Sequence, residues 1–229
     1  MRKIAVILAT LLVGVPSLFA QGPFDYSGRW NFSVQGGLAV TVSDNVFGYT
    51  DNGMFKDLLK LQGQAAIGYD FTGSFGVRLA GGYANHAGSS NILQTAGGKN
   101  VWPFTYRSVF VFADAVMNLN GLTGHFSPFA PKFYAGLGGA RTFGFTNPHH
   151  PFQNPHDPNY VFGMRGGFIA EVDFPAGIGL FADLGLEAYG DWHNGIRPND
   201  KDQSYFKGYA GFPFDLVPKL SLGLIYHFK

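Results

Sequence analysis

Histidine and carboxylate side chains concentrate in a few places along this chain of 229 residues, and each place suggests a different chemistry. The stretch NPHHPFQNPHDPNY, residues 147–160, carries His149, His150, His156 and Asp157. Imidazoles beside a carboxylate suit zinc, nickel or copper. Their spacing matches no defined metal site, however, and the four prolines stiffen the stretch without making its donors converge. It reads as a proline-shaped surface loop, with those four residues as secondary metal candidates, and no cofactor is expected. A second set, His86, Asp191 and His193, offers a general base and an acid. Catalysis also needs a nucleophile or water within reach of the base, and no such arrangement stands out in the spacing. No Gly-rich stretch has phosphate-loop spacing either. The third set is Lys60, Gln62, Gln64, Arg78, Asp114, Lys132, Arg165, Glu171, Asp183 and Glu187, whose chemistry depends on the elements that carry them.

Composition narrows those elements. Residues 1–20, MRKIAVILATLLVGVPSLFA, have a basic start, an apolar run and small residues before Ala20, the layout of a secretory signal peptide cleaved near Ala20. A retained anchor fits less well, because Gly14, Pro16 and Ser17 interrupt the run. Cleavage would remove two of the 16 basic residues against 15 acidic ones, so nothing calls for a nucleic-acid partner. There is no cysteine, hence neither a disulfide framework nor a lipidated N-terminus. Charged residues are only 14% while aromatics reach 17%, and glycine numbers 33. That is too little charge for an ordinary soluble surface. Beyond residue 20, apolar runs are too short for a spanning helix, which leaves a closed barrel as the way to cross a bilayer.

Residues 30–42, WNFSVQGGLAVTV, alternate Trp30, Phe32, Val34, Leu38, Val40 and Val42 against Asn31, Ser33, Gln35 and Thr41. Similar alternation recurs at 58–70, 74–86, 104–118, 129–142, 160–172, 178–189 and in the final LSLGLIYHFK, giving eight strands. FKDLLKL, residues 55–61, reads as a helical turn or as a strand start. Strand 4 is bulky on both faces; Asp114 and Asn118 place Val109, Val111, Ala113, Ala115 and Met117 outward. The shorter connections, tight at DFTG and DFPAG and somewhat longer at NLNGLTGHFSP, alternate with connections of about fifteen residues or more near 43–57, 87–103, 143–159 and 190–217, the arrangement of barrels with short periplasmic turns and long outer loops. Trp30, Tyr226 and Phe228 then form an aromatic girdle at one boundary. Tyr83, Phe104, Tyr106, Phe143, Tyr160, Tyr189 and Trp192 form one at the other.

On this parity the third set of residues faces the lumen. An eight-stranded barrel is only wide enough for its side chains to fill, so those residues should pair with one another as a plug. A 6–7 hairpin turning about Pro175 puts Arg165 opposite Gly185, diagonal to Asp183 and Glu187. A gated ion path is the functional alternative.

The leader, the eight segments, the loop alternation and the terminal x-Y-x-F pattern of Tyr226 and Phe228 resemble the small outer-membrane barrels of the OmpA N-terminal and OmpX type, from Trp30 to Phe228. The resemblance implies an all-β, eight-stranded antiparallel up-and-down transmembrane β-barrel over residues 21–229. It also implies integral residence in a Gram-negative outer membrane, with outer-membrane lipid and the barrel-insertion machinery as partners. The expected role is non-enzymatic: loops that meet an extracellular partner for adhesion or interaction, or that support envelope integrity. The alternatives are a narrow channel for ions or small apolar molecules, as in OmpW-like barrels, and, behind it, a lipid A-modifying enzyme. No cell-wall-binding module is expected after the barrel. In such barrels the last strand serves as an insertion address ending on an aromatic, and here Lys229 follows Phe228. Deleting Phe228 and Lys229 is therefore expected to reduce membrane assembly sharply, scored by urea-resistant recovery of the protein in the membrane fraction.

Overall fold

Alternation with period two commits each segment to one apolar and one mixed face, and a sheet with two such faces resolves the conflict by closing on itself. The computed structural model describes residues 24, 26–42, 59–90, 102–146, 159–190, 193 and 214–228. Eight strands run in order: β1 (Arg29–Val40), β2 (Leu59–Asp70), β3 (Phe75–Ser90), β4 (Trp102–Asn118), β5 (Phe129–Thr146), β6 (Asn159–Asp173), β7 (Ile178–Gly190) and β8 (Phe214–His227). Each pairs antiparallel with the next, and β8 returns to β1, closing the barrel. The closing register sets Val34 opposite Leu224 and Leu38 opposite Leu220, and Phe228 donates its backbone N–H to the Trp30 carbonyl at 2.8 Å.

The outward rows are apolar all round. Phe32, Val34 and Leu38 on β1, Leu61 and Ile67 on β2, Val77 and Leu79 on β3, Val109 and Val111 on β4, and Leu220, Leu222 and Leu224 on β8 are exposed. In a globule so large an apolar surface would be an aggregation liability. Around a closed sheet it is the face a barrel turns to lipid.

The tight turns lie at one end. Between β2 and β3, the Thr72 hydroxyl accepts from the backbone N–H groups of Ser74 and Phe75. Between β6 and β7, Gly177 takes φ +80° and bonds back to the Phe174 carbonyl. The β4–β5 connection contains a short helix, α1 (Leu119–Thr123), capped by Asn118 and ended by Gly124 in a left-handed conformation. At the other end the sheet runs farther than alternation alone suggested. Strands β3, β4 and β5 reach 16, 17 and 18 residues, well past the roughly 9–11 that cross a bilayer. The FKDLLKL stretch enters β2 only at Leu59; residues 43–58, 91–101 and 147–158, the leader and Trp192 lie outside the described residues.

Lumen-facing glycines explain part of the glycine content. They give large inward rings room to lie against the neighbouring strand. A Cβ on Gly163 would sit 2.7 Å from a ring carbon of Tyr189 and 3.2 Å from Phe112, and one on Gly223 would strike the Phe181 ring. Gly63 faces outward and has only the Gln35 carbonyl within 3.8 Å. Gly163→Ala should cost ~1–3 kcal/mol through overpacking, whereas Gly63→Ala should cost less than about 1 kcal/mol. Reversible urea unfolding in detergent micelles measures the difference.

Candidate functional site: a filled lumen

Asp114 on β4 lies at the centre of the barrel. It accepts from both Nε and Nη2 of Arg165, at 2.8 and 2.7 Å, and from Nε of Arg78 at 2.8 Å. One carboxylate is thus held between two guanidiniums, the first in a bidentate fork. Arg165 also donates to Gln64 Oε1 at 2.7 Å and lies 3.6 Å from Glu187 Oε1, which takes Lys219 Nζ at 2.7 Å. The other Glu187 oxygen accepts from the Tyr189 hydroxyl, and Asp183 accepts from Tyr134 and Gln35, each at 2.9 Å. Arg165 lies over the Phe112 ring and Arg78 over that of Tyr134, each 4.5 Å from the centroid. Rings fill the lumen between the ion pairs and shield them.

Of the residues read as lumenal, Gln62, Gln64, Arg78, Asp114, Lys132, Arg165, Glu171, Asp183 and Glu187 are buried, and Lys60 is half-buried on the same face. Gln62 donates to Ser221 at 3.1 Å. Lys132 and Glu171 meet at 2.6 Å near the tight-turn end, one layer away from Asp114. The hairpin register differs from the expectation by two residues. Arg165 stands opposite Glu187, and Gly185 stands opposite Gly167, because Phe174 bonds across to Ile178 and the turn is centred on Ala176, one position later than Pro175. Asp183 consequently pairs with Tyr134 and Gln35 instead of Arg165.

Two expected girdle members also differ. Tyr106 and Tyr189 are each 1% exposed and point inward. Tyr83 and Tyr160 face outward, as do Trp30, Tyr226 and Phe228 at the tight-turn end, where the last two pack edge to face at 5.2 Å. Parity decides the matter: Tyr106 shares its face with Asp114, and Tyr189 with Glu187.

These inward rings belong to a cluster at the long-loop end that sequence spacing did not reveal. His86 bonds Thr41 through Nδ1 at 2.9 Å and Ser108 through Nε2 at 2.8 Å. His193 bonds the Tyr106 hydroxyl at 3.0 Å and stacks on Tyr189 at 4.1 Å. Gly144, at φ +66°, makes a bulge opposite Tyr106 that switches the facing of the last β5 residues, and Phe145 stacks on Tyr106 at 5.0 Å. Burial, and then the neighbouring His86, hold His193 well below its ordinary pKa, so this stack is neutral. The Ser108–His86 contact is enclosed, with Ser108 1% exposed. His149, His150, His156, Asp157 and Asp191 lie outside the described residues.

The architecture defines the class: a closed, eight-stranded antiparallel barrel with an apolar exterior and an ion-paired interior, the fold of the small outer-membrane barrels. Among solved structures it is similar to a major outer membrane protein of Thermus thermophilus, at TM-score 0.51 and 18% identity over 87% of this chain and 99% of that one. It is also similar to the outer membrane protein OprG of Pseudomonas aeruginosa, at TM-score 0.50 and 13% identity over 88% and 97%. Neisserial surface protein A aligns at TM-score 0.46 and 14% identity over 87% and 97%. No family model matches the chain, and no curated protein matches it.

Asp114→Asn strands two buried guanidiniums and should destabilise the barrel by ~3–5 kcal/mol. Arg165→Met leaves Asp114 with Arg78 and Glu187 with Lys219, and should cost distinctly less. Equilibrium unfolding of the two variants side by side checks the order.

Proposed function

We propose that this protein is a non-enzymatic integral barrel of the bacterial outer membrane, with its tight turns in the periplasm and its long connections at the cell surface. The observation that carries the reading is the pairing of a continuous apolar exterior with a lumen packed by shared ion pairs. The outer-membrane residence of the Thermus and Pseudomonas proteins it is similar to supports the location. The insertion machinery would read the last strand through Tyr226 and Phe228, after removal of the leader near Ala20. The surface connections would then carry adhesion, interaction with an extracellular partner, or a contribution to envelope integrity. A filled lumen favours these roles over transport, since an ion would have to displace Arg165 from Asp114 and separate the rings above it.

The narrow channel is the competing reading, and a cavity of about 30 Å³ beside Asp70, Arg78, Lys132 and Glu171 is the feature that favours it. Such a space holds about one water, not a continuous column. Purified protein in planar lipid bilayers should show no sustained single-channel openings. Regular, voltage-stable openings would replace the plug by the channel.

A further inference from the structure

The tight-turn end of the lumen holds a second group of titratable residues that the plug does not use. Glu171 and Asp173 are two positions apart on β6 and both point inward, while His227 reaches them from β8. Between these strands the inward position of β7 is Gly179, where a Cβ would lie 2.6 Å from Asp173 Oδ1. The missing side chain lets the Asp173 carboxylate lean across β7 towards the imidazole. His227 Nε2 is 3.1 Å from Glu171 Oε1 and 3.5 Å from Asp173 Oδ1, and the three donor atoms lie within 4.8 Å of one another. All three residues are buried, each about 1% exposed.

Two of their atoms lack a well-formed hydrogen bond: Asp173 Oδ1, which has only the 3.5 Å approach of His227 Nε2, and His227 Nδ1. Buried polar atoms are rarely left so, and each asks for an explanation. Charge sharpens the question. Asp70, Glu171 and Asp173 bring three carboxylates to this end, with Lys132 as the facing cation, bonded to Glu171 at 2.6 Å. With a neutral imidazole and Arg78 committed to Asp114, these carboxylates exceed Lys132 by two formal charges, with the Asp70 side chain 22% exposed at the rim and Tyr26 stacked on His227 at 3.7 Å.

We propose that Glu171, Asp173 and His227 bind one divalent transition-metal ion at the tight-turn end of the lumen, with Asp70 orienting His227. Donors on a tetrahedral zinc with bonds near 2.1 Å are about 3.4 Å apart, which the 3.1 and 3.5 Å separations approach. An imidazole nitrogen with two carboxylate oxygens suits zinc and its neighbours better than calcium or magnesium, which prefer oxygen alone. Ligation through Nε2 puts the proton on Nδ1, which faces Asp70 Oδ2 at 4.0 Å. Closing that gap to hydrogen-bond length on metal binding would make the carboxylate–histidine–metal relay that orients ligating imidazoles. Asp70 is itself fixed by Asn31 at 3.0 Å. A divalent ion cancels the two surplus charges and gives Asp173 Oδ1 its partner.

The test uses the full barrel, stripped with EDTA in detergent and titrated with Zn²⁺ by calorimetry and with Co²⁺ by visible absorption. Saturable binding of a single equivalent is expected. Asp173→Asn and His227→Gln should each abolish it, and Asp70→Asn should weaken it by at least about tenfold. Lys132→Met, which removes the competing cation, should tighten it. The triple variant His149→Ala/His150→Ala/His156→Ala should bind as the parent does. Circular dichroism checks that each variant keeps its sheet. Independently of any variant, Zn²⁺ should shift the side-chain ¹⁵N resonances of His227 in the unsubstituted protein. Absence of saturable binding, binding lost in the triple variant but kept in Asp173→Asn, or an unmoved His227 resonance would each overturn the assignment.

Discussion

Closure of the sheet is the constraint on which the other features depend. A strand edge carries a row of unpaired N–H and C=O groups, and in lipid no water is present to satisfy them. Pairing β8 with β1 removes both edges at once. It also fixes the geometry in which side chains must alternate: with no free edge, a strand cannot slip by one residue without exchanging its apolar row for its charged one. The ordered terminus follows from the same fact, because the backbone of Leu220–Tyr226 is the partner of Phe32–Leu38.

Eight strands then make the interior a scarce volume. Inward positions are taken by charged groups, amides and hydroxyls, rings, small apolar side chains, and glycines that yield space to a neighbouring ring. Tyr134 shows how these interlock. Its ring lies under Arg78, its hydroxyl bonds Asp183, and Gly167 and Gly185 leave room for it, a Cβ on Gly167 falling 2.6 Å from its hydroxyl oxygen. A charged group can persist in this space only where its partners have been placed in advance, and Asp114, shared between Arg78 and Arg165, is the point at which three strands must agree in register.

Period-two alternation made the strand count, the inward and outward rows and the location of the tight turns legible in the sequence, since lipid tolerates few exceptions on the outer face. Strand 4, bulky on both faces, could still be oriented by Asp114. What alternation does not carry is register across a hairpin, which depends on turn geometry. The Phe174–Gly177 turn moved Arg165 from Gly185 to Glu187. Nor does it distinguish an aromatic at a headgroup boundary from one capping the lumen, which is why Tyr106 and Tyr189 read as girdle residues yet point inward. The acidic group at the tight-turn end does obey the alternation. Asp173 has the parity of Glu171, and extending that strand by one position would have placed it inside beside His227.

The three levels of the lumen differ in the kind of interaction that fills them, and this bears on whether the barrel can open. Near the long loops, His86, Tyr106, Tyr189 and His193 make a neutral stack held by ring contacts and single hydrogen bonds. The Asp114 level is charged but closely compensated, with each acid facing at least one donor. Near the tight turns, carboxylates outnumber the facing cation and two buried atoms lack a well-formed hydrogen bond. The long-loop level is ring-lined and desolvating, and the Asp114 level beneath it holds shared ion pairs, with Gln35 Oε1, Gln62 Oε1 and Arg78 Nη2 left without partners. An ion entering from the tight-turn side meets excess negative charge at once, behind only the Tyr26 ring. The asymmetry leaves the tight-turn end as the level at which negative charge exceeds the facing cation, below a level whose acids are each paired.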